Sequence, residues 1–401
     1  MIRLMRALAF VLVVLLCGPA LAQPQQLQPR TVLDIELPAA PNYRLYGRGG
    51  PGRLAVGADG THYLLTNSFR PSNDPAQPAL DARIELWAFA KDGTPKFRTL
   101  LPIEHRLGPL GFEIESLGVA ALPSGEVAVF LGSRNEAIGQ SILGTPLTLY
   151  FGISATGTVL RVVPVAPPSG GDQSGNTYST HFYMPTADNG LLVGGGFGGG
   201  PFSWWIGKFG ADGRRQWQAG SGTGFPEDVY ALAVRPDGTI EAVVLVAGSV
   251  KGFGGWYLGS PNLARFAADG TVLSRARLEQ EGDIFVVLAD SYLAVLSAYD
   301  TSRRPELVRL DQAGKVSGRV PWSYEKTWFA MAHGDGIAAI TCYRFDGPPC
   351  YAVSAGLGGK VRWQSPPVTT SDIARTPDGQ IAALIWSDDG MRARLVRYAD
   401  P

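Results

Sequence analysis

Apolar and polar residues alternate along most of the chain, and short turns interrupt the alternation at intervals. The stretch from Asn262 to Leu278 is typical, because it alternates into Ala268-Asp269-Gly270 and alternates again afterwards. This pattern predicts a β-hairpin with a two-residue turn and one half-buried face. Since related patterns recur elsewhere in the chain, the hairpin is a structural repeat rather than a catalytic motif.

Two classes of turn follow one another along the chain. The glycines of the first class are 44 to 64 residues apart, and they are Gly93, Gly157, Gly213, Gly270, Gly314 and Gly359. Turns of the second class fall between them, at Asp59, Ser124, Asp188, Asp237, Asp290, Asp335 and Asp378. Such spacing is typical of four-stranded blades with variable loops. The sequence therefore predicts an all-β fold, a seven-bladed β-propeller.

The two classes differ in number, with seven inner hairpins but only six complete outer ones. After the last inner hairpin, residues 392–398 look like the third strand of a blade that lacks its fourth strand. The missing strand is found near the other end of the chain, where Thr31–Leu37 resembles Thr271–Leu278. We therefore expect the N-terminal strand to complete the last blade and close the ring without a long exposed sheet edge.

The outer hairpins have a Lys or Arg before several of the turns and Trp217 or Trp363 after two of them. In these features they resemble the repeats of exported bacterial β-propellers, including quinoprotein-like families. The resemblance implies a fold and not an activity. The turns at Gly157, Gly314 and Gly359 lack the preceding Asp, and no residues match a quinone-binding set, so no quinone cofactor is expected.

The N-terminus has the pattern of a secretory signal peptide. Arg3 and Arg6 precede the apolar run Ala7–Leu16, and the small residues Ala20–Ala22 precede a Gln-rich stretch. The apolar run is too short for a membrane span. The sequence predicts a signal peptide over residues 1–22, cleaved after Ala22, and a single propeller domain over 23–401. A lipoprotein anchor on Cys17 is the alternative.

The cysteines indicate the cellular compartment of the protein, and the net charge limits the classes of partner that it could bind. Cleavage after Ala22 leaves Cys342 and Cys350, which flank one short loop and predict a disulfide in a periplasmic or secreted protein. Two free thiols are the alternative. Lys plus Arg and Asp plus Glu number 35 each, so the formal net charge of zero gives no reason to expect nucleic-acid binding. We expect a monomer without a transmembrane span.

Propeller geometry places the long loops between second and third strands on one face, where binding usually occurs. Two of these loops contain aromatic residues among glycines. Aromatic side chains with polar neighbours favour a protein, peptide or glycan partner. The candidate binding residues are Phe197, Trp204, Trp205, Phe253, Trp256 and Tyr257. Packing of Trp204 and Trp205 between blades is the alternative.

Ionisable residues at the starts of the inner strands form a second candidate site, at the mouth of the central channel. They are Glu115, His181, Asp228, Asp283, Lys326 and Asp372. Such a ring could supply acid and base groups or bind a divalent cation. The alternative is that these residues only line a hydrated channel or cap the starts of the strands. The Gly194–Gly200 run is not a phosphate loop. No other cofactor is predicted.

We therefore expect a binding or assembly module that uses the face with the long loops. A hydrolase or lyase that uses the channel-mouth carboxylates, with or without a metal ion, is the alternative from a different functional class. A purely structural component of the cell envelope is a third. The sequence contains no motif that decides whether the protein is an enzyme.

Overall fold

The computed structural model describes residues 27–38, 44–45, 52–71, 79–103, 113–134, 148–166, 177–198, 203–220, 228–246, 260–298, 304–344, 347–369, 371–387 and 392–401. For Glu115 and Phe197 the description covers the backbone only. The predicted signal peptide lies outside the described residues. Within these ranges every regular element is a β-strand.

The strands form seven antiparallel sheets, the blades of one propeller. The first strand, β1 (Arg30–Leu37), belongs to the last blade. Blade 1 contains β2 (Arg44–Leu45), β3 (Leu54–Val56), β4 (His62–Pro71), β5 (Ala79–Phe89) and β6 (Pro95–Leu100). Blade 2 contains β7 (Glu113–Ala121), β8 (Val127–Arg134), β9 (Thr148–Ile153) and β10 (Val159–Pro164). Blade 3 contains β11 (Thr177–Pro185), β12 (Leu191–Gly198), β13 (Ser203–Phe209) and β14 (Arg215–Gly220).

The second half of the ring repeats this plan. Blade 4 contains β15 (Val229–Val234), β16 (Ile240–Val246), β17 (Ser260–Phe266) and β18 (Val272–Arg277). Blade 5 contains β19 (Ile284–Val287), β20 (Tyr292–Leu296), β21 (Glu306–Leu310) and β22 (Val316–Pro321). Blade 6 contains β23 (Lys326–His333), β24 (Gly336–Arg344), β25 (Gly347–Gly356) and β26 (Val361–Gln364). Blade 7 contains β27 (Ser371–Arg375), β28 (Ile381–Trp386) and β29 (Ala393–Ala399), with β1 as its outer strand. The predicted seven-bladed fold is confirmed.

The two ends of the chain meet in blade 7. Strand β1 pairs antiparallel with β29, so that Thr31 lies opposite Tyr398 and Leu37 opposite Ala393. Leu37 is buried in a hydrophobic cluster that also contains Leu395 of blade 7 and Trp87 of blade 1. The predicted closure by the N-terminal strand is therefore confirmed, and the core of the closing blade is continuous with the core of the first.

The turns that revealed the repeat lie on one face of the ring, the short-turn face, which carries the first-to-second and third-to-fourth strand turns. The hairpin at Asp269 has three loop residues rather than the predicted two, because Ala267 N donates to Thr271 O and Gly270 N donates back to Ala267 O. Gly270 has φ +87°, and a Cβ there would lie 2.6 Å from the Trp217 ring of blade 3. Glycine is therefore required both by the turn and by the packing of the neighbouring blade.

The cation before the outer turn of the repeat ties adjacent blades together. Lys208, Arg265 and Arg397 occupy the same place on the third strand of blades 3, 4 and 7. Each donates to a backbone carbonyl in the outer turn of the next blade, and these carbonyls belong to Ala268, Gln312 and Lys91. The signature residue is thus explained by a hydrogen bond across the seam between blades.

Candidate functional site at the mouth of the central channel

The opposite face of the ring, the long-loop face, carries the connections between blades and between second and third strands. Besides β7, where a bulge adds Glu115, three inner strands have a β-bulge in the half that leads from this face, and each of these bulges adds one unpaired residue at the same level of its blade. The added residues are His181 in β11, Tyr230 in β15 and Trp328 in β23. They lie beside the equivalent central-strand residues Gly194, Val243 and Ile340. Because a bulge redirects a side chain out of the regular alternation, these residues line the channel mouth.

His181 contacts a carboxylate on the next blade. Its Nε2 lies 3.1 Å from Oδ2 of Asp228, the residue before β15. Burial lowers the pKa of His181, but the hydrogen bond and the charge of Asp228 outweigh burial and raise it above its ordinary value. Asp228 also accepts a hydrogen bond from Val229 N through Oδ1. The contact favours the protonated imidazole, and it joins blades 3 and 4.

Asp283 and Lys326 extend the polar lining over blades 5 and 6. Asp283 accepts a hydrogen bond from Ser297 N, and the hydroxyl of Ser297 accepts one from Thr327 N next to Lys326. Burial lowers the pKa of Lys326, and the negative charge of Asp283 opposes that change. Burial raises the pKa of Tyr230 to about 12, and the negative charges of Asp228 and Asp283 contribute to this increase. Its phenol is therefore protonated and can donate a hydrogen bond.

Trp328 supplies an exposed aromatic surface at the same place. The residue is 58% exposed on an innermost strand, where every other residue is buried or partly buried. The ammonium of Lys326 lies 5.0 Å from the centroid of its ring, within the range of a cation–π contact. Trp328 Nε1 donates to Cys342 Sγ at 3.2 Å. One cation and one disulfide sulfur therefore hold an indole that is otherwise open to solvent.

The predicted disulfide is present directly behind this indole. Cys342 and Cys350 are bonded and lie opposite each other on β24 and β25, with Cα atoms 4.0 Å apart. Lys326 is the register partner of Cys342 on the other side. The disulfide therefore cross-links the second and third strands of blade 6, and the second strand pairs with the inner strand that presents Lys326 and Trp328.

Asp372 lies at the channel but is closed to solvent. Its carboxylate is 4% exposed and accepts hydrogen bonds from Gly52 N and Leu54 N of blade 1, and from Ile373 N of its own blade. Burial raises the pKa of Asp372 to about 7, against the opposing effect of the backbone N–H groups. Asp372 therefore joins the last blade to the first. It acts as a cap at the start of its strand, which was the alternative to a catalytic role.

The remaining candidates divide between buried and undescribed residues. Trp204 and Trp205 are both 2% exposed, the former against Phe266 of blade 4 and the latter in a cluster with Phe130 of blade 2. The packing alternative therefore applies to these two tryptophans. The side chains of Glu115 and Phe197 are not described, and Phe253, Trp256 and Tyr257 lie outside the described residues.

Two residues of the site, the partly buried Tyr230 and the exposed Trp328, were missed in the sequence. Counting back from the inner turns selects Asp228 and Lys326 in blades 4 and 6. The bulges instead bring Tyr230 and Trp328 to the channel, two residues further along each strand. The available signal was an aromatic residue two positions after a charged residue at the start of the inner strand.

The described part of the chain contains neither a metal-binding group of side chains nor a membrane-spanning helix. No group of three or more His, Cys, Asp or Glu side chains there lies close enough together to hold a metal ion. No helix in the described ranges has the length and apolar character that crossing a bilayer requires.

The short-turn face differs in character from the channel mouth. It has a cavity of 460 Å³ between blades 4 and 5, lined in part by Arg235, Glu241 and Arg265. Both arginines bond to Glu241 and also to backbone carbonyls of blade 5. Its charges are therefore used to hold the blades together.

Comparisons with known proteins identify the fold and no family. No protein-family model matches the chain, and no curated protein matches its sequence. The β-propeller domain of the Trilobed protease from Pyrococcus furiosus is similar over 89% of this chain and 100% of its own, with TM-score 0.50 and 9% identity. Pyrococcus horikoshii acylaminoacyl peptidase (uncomplexed) is similar over 89% of this chain and 51% of its own, with TM-score 0.50 and 11% identity.

A europium-containing methanol dehydrogenase is also similar, over 92% of this chain and 93% of its own, with TM-score 0.44 and 11% identity. The chain spans about half the length of the acylaminoacyl peptidase. At these identities the likeness is one of fold. The Pyrococcus furiosus domain is described as having an open velcro topology, whereas β1 closes the present ring by pairing with β29.

Proposed function

We propose that the protein is an exported, monomeric binding or assembly module whose long-loop face holds a protein, peptide or glycan at the channel mouth. The observation that carries this proposal is the exposed Trp328, set among ionisable side chains on the innermost strands. An exposed indole with polar neighbours is a typical anchor for a ligand. On the short-turn face, by contrast, the Lys and Arg side chains of the repeat bond to acidic side chains and to turn carbonyls.

Export is supported by two features of different kinds. Residues 1–22 have the order of a signal peptide, and Cys342 and Cys350 form a disulfide that an oxidising compartment would maintain. We propose cleavage after Ala22, release into the periplasm or medium, and a single domain over 23–401. Mass spectrometry of the exported chain tests this: an N-terminus at Gln23 supports it, and a lipid on Cys17 contradicts it.

Replacement of Trp328 by Ala should weaken ligand capture without unfolding the ring. With the protein immobilised, we expect capture of its partner from a periplasmic extract to fall about tenfold or more, since aromatic anchors dominate binding energies. The melting temperature should change little because the side chain is mostly exposed. The same result is expected for Phe197, Trp256 and Tyr257, the rim aromatics predicted from sequence.

The matched control is Leu273→Ala, which removes another exposed apolar side chain from the outer strand of blade 4. This variant should capture the partner as well as the unaltered protein does. Equal losses in the Leu273 and Trp328 variants would contradict a site at the channel mouth. A large fall in melting temperature for Trp328→Ala would assign the indole a structural role.

A hydrolase or lyase is the second candidate, and the 3.1 Å contact between His181 and Asp228 favours it. A carboxylate that orients an imidazole is the arrangement of a general base, and loss of such a base lowers rates by about 10² to 10⁴. The assay uses p-nitrophenyl esters and glycosides, and acidic polysaccharides whose lyase products absorb ultraviolet light. His181→Gln should abolish turnover and Asp228→Asn should shift its pH profile. Absence of turnover, or turnover that His181→Gln leaves unchanged, would contradict catalysis.

A further inference from the structure

We infer that the channel-mouth cluster, defined as His181, Asp228, Tyr230, Asp283, Lys326 and Trp328, binds a neutral saccharide. This inference rests on the proposed binding function and names the ligand class for that same site. The cluster contains one exposed aromatic ring, two carboxylates, one ammonium, one imidazole and one phenol. Four successive blades, from blade 3 to blade 6, contribute these groups.

The charge balance of the cluster argues against strongly charged ligands. The carboxylate of Asp228 is hydrogen-bonded to the imidazole of His181, and the charge of Asp283 acts on the ammonium of Lys326. A phosphate or polyanion would be attracted by Lys326 and by a protonated His181, and repelled by the two carboxylates that already interact with these groups. A cationic ligand would meet Lys326 directly beside the aromatic ring that it would need. A ligand without net charge avoids both penalties.

The polarity of the cluster argues against an apolar ligand such as an acyl chain. Covering Asp283 or Lys326 with hydrocarbon would remove water from charged groups without replacing its hydrogen bonds, and this is costly. A ligand with hydroxyl groups around its edge replaces those bonds. Ionised carboxylates accept such hydrogen bonds, and the phenol of Tyr230 and the ammonium of Lys326 can donate them.

A sugar ring combines the two surfaces that the cluster offers. Its axial C–H groups form an apolar patch that can lie on an indole, and its equatorial hydroxyls point outward to hydrogen-bonding partners. The exposed side of Trp328 provides the flat contact, and the ammonium of Lys326 lies over the ring, 5.0 Å from its centroid. Asp283 is linked through Ser297 to Thr327, the neighbour of Lys326, so that an acceptor and a donor lie near each other in the cluster.

The cluster is fixed before a ligand arrives. Asp228 is held by His181 and by Val229 N, and Asp283 by Ser297 N. Trp328 is held by its hydrogen bond to Cys342, whose disulfide cross-links β24 and β25. Side chains that are already ordered lose little conformational entropy on binding, which favours recognition of a small ligand.

The experiment follows individual indole N–H signals of the full chain by nuclear magnetic resonance. Each of the nine tryptophans contributes one such signal. Trp328→Phe assigns the signal of the site, and Trp363→Phe assigns that of Trp363, a buried control in the same blade. The probes are neutral oligosaccharides of glucose, galactose, mannose and N-acetylglucosamine, with oligogalacturonate and short acidic, basic and aromatic peptides as comparison ligands.

We expect at least one neutral oligosaccharide to shift the Trp328 signal in a saturable way and to leave Trp363 in place. Trp328→Ala should then weaken its affinity, measured by calorimetry, about tenfold or more, and Trp328→Phe should weaken it less. Shifts from a peptide or from oligogalacturonate, with none from neutral sugars, would overturn the saccharide assignment and leave the binding function standing. If no probe shifts Trp328 and no partner is captured from the extract, both proposals fail.

Discussion

Removal of residues 30–37 is expected to lower the free energy of unfolding by more than about 5 kcal/mol. The deletion takes away the outer strand of blade 7 with its hydrogen bonds to β29, and the buried Leu37 with its contacts. Loss of a buried leucine side chain alone costs about 2 to 5 kcal/mol. The deletion also leaves β29 as an unpaired sheet edge, which favours aggregation. Urea unfolding followed by circular dichroism measures the change.

Two variants accompany this deletion. Leu37→Ala keeps the strand and should cost about 2 to 5 kcal/mol, because the side chain is 1% exposed. Asp269→Ala alters a fully exposed turn whose carboxylate accepts a hydrogen bond from Thr271 N, and it should cost far less than the deletion or Leu37→Ala. If the deletion destabilised the chain no more than Asp269→Ala does, closure of the ring by β1 would be contradicted.

Asp372→Ala should be the most damaging single substitution at the channel, with a loss of about 3 kcal/mol or more. The carboxylate accepts hydrogen bonds from Gly52 N and Leu54 N across the seam between blades 7 and 1, and from Ile373 N. Each buried N–H group left without an acceptor costs about 1 to 3 kcal/mol. Asp372→Asn keeps one acceptor oxygen and should cost less. A loss below about 1 kcal/mol for the alanine variant would contradict the inference that Asp372 joins blade 7 to blade 1.

The pH dependence of stability tests the same residue with a defined sign. Burial raises the pKa of Asp372 from 3.8 to about 7 in the folded chain. Its contribution to stability is therefore complete below about pH 4 and is lost as pH rises towards 7, by up to about 4 kcal/mol. The difference in unfolding free energy between the unaltered protein and Asp372→Asn should fall over that range. A flat or rising difference would show that the backbone N–H groups hold the carboxylate ionised.

The ring and its closure were predictable because they depend on features that repeat. The turn glycines near positions 93, 157 and 270 all have positive φ angles, so their spacing in the sequence records the spacing of the blades. The match between Thr31–Leu37 and the strand after Gly270 could be recognised for the same reason. Only the length of the loop was misjudged, because a three-residue loop ending in glycine and a two-residue turn have similar sequences.

The details of the channel mouth were not predictable in the same way. A β-bulge adds one residue to a strand and reverses the alternation beyond it, and the sequence does not mark the position of that residue. This is why Tyr230 and Trp328 were missed. Trp204 and Trp205 illustrate a different limit, since adjacent strand residues point to opposite sides of a blade and both sides are covered by neighbouring blades. Alternation alone cannot distinguish such a strand from one exposed at a rim.

A crystal structure of the protein with the best-binding oligosaccharide is the most direct test of a binding site at the channel mouth. The predicted result is a sugar ring stacked on the exposed side of Trp328, with hydroxyls within hydrogen-bonding distance of Lys326 Nζ or the Asp283 carboxylate. A sugar bound on the short-turn face or along an outer strand, with Trp328 uncovered, would contradict it.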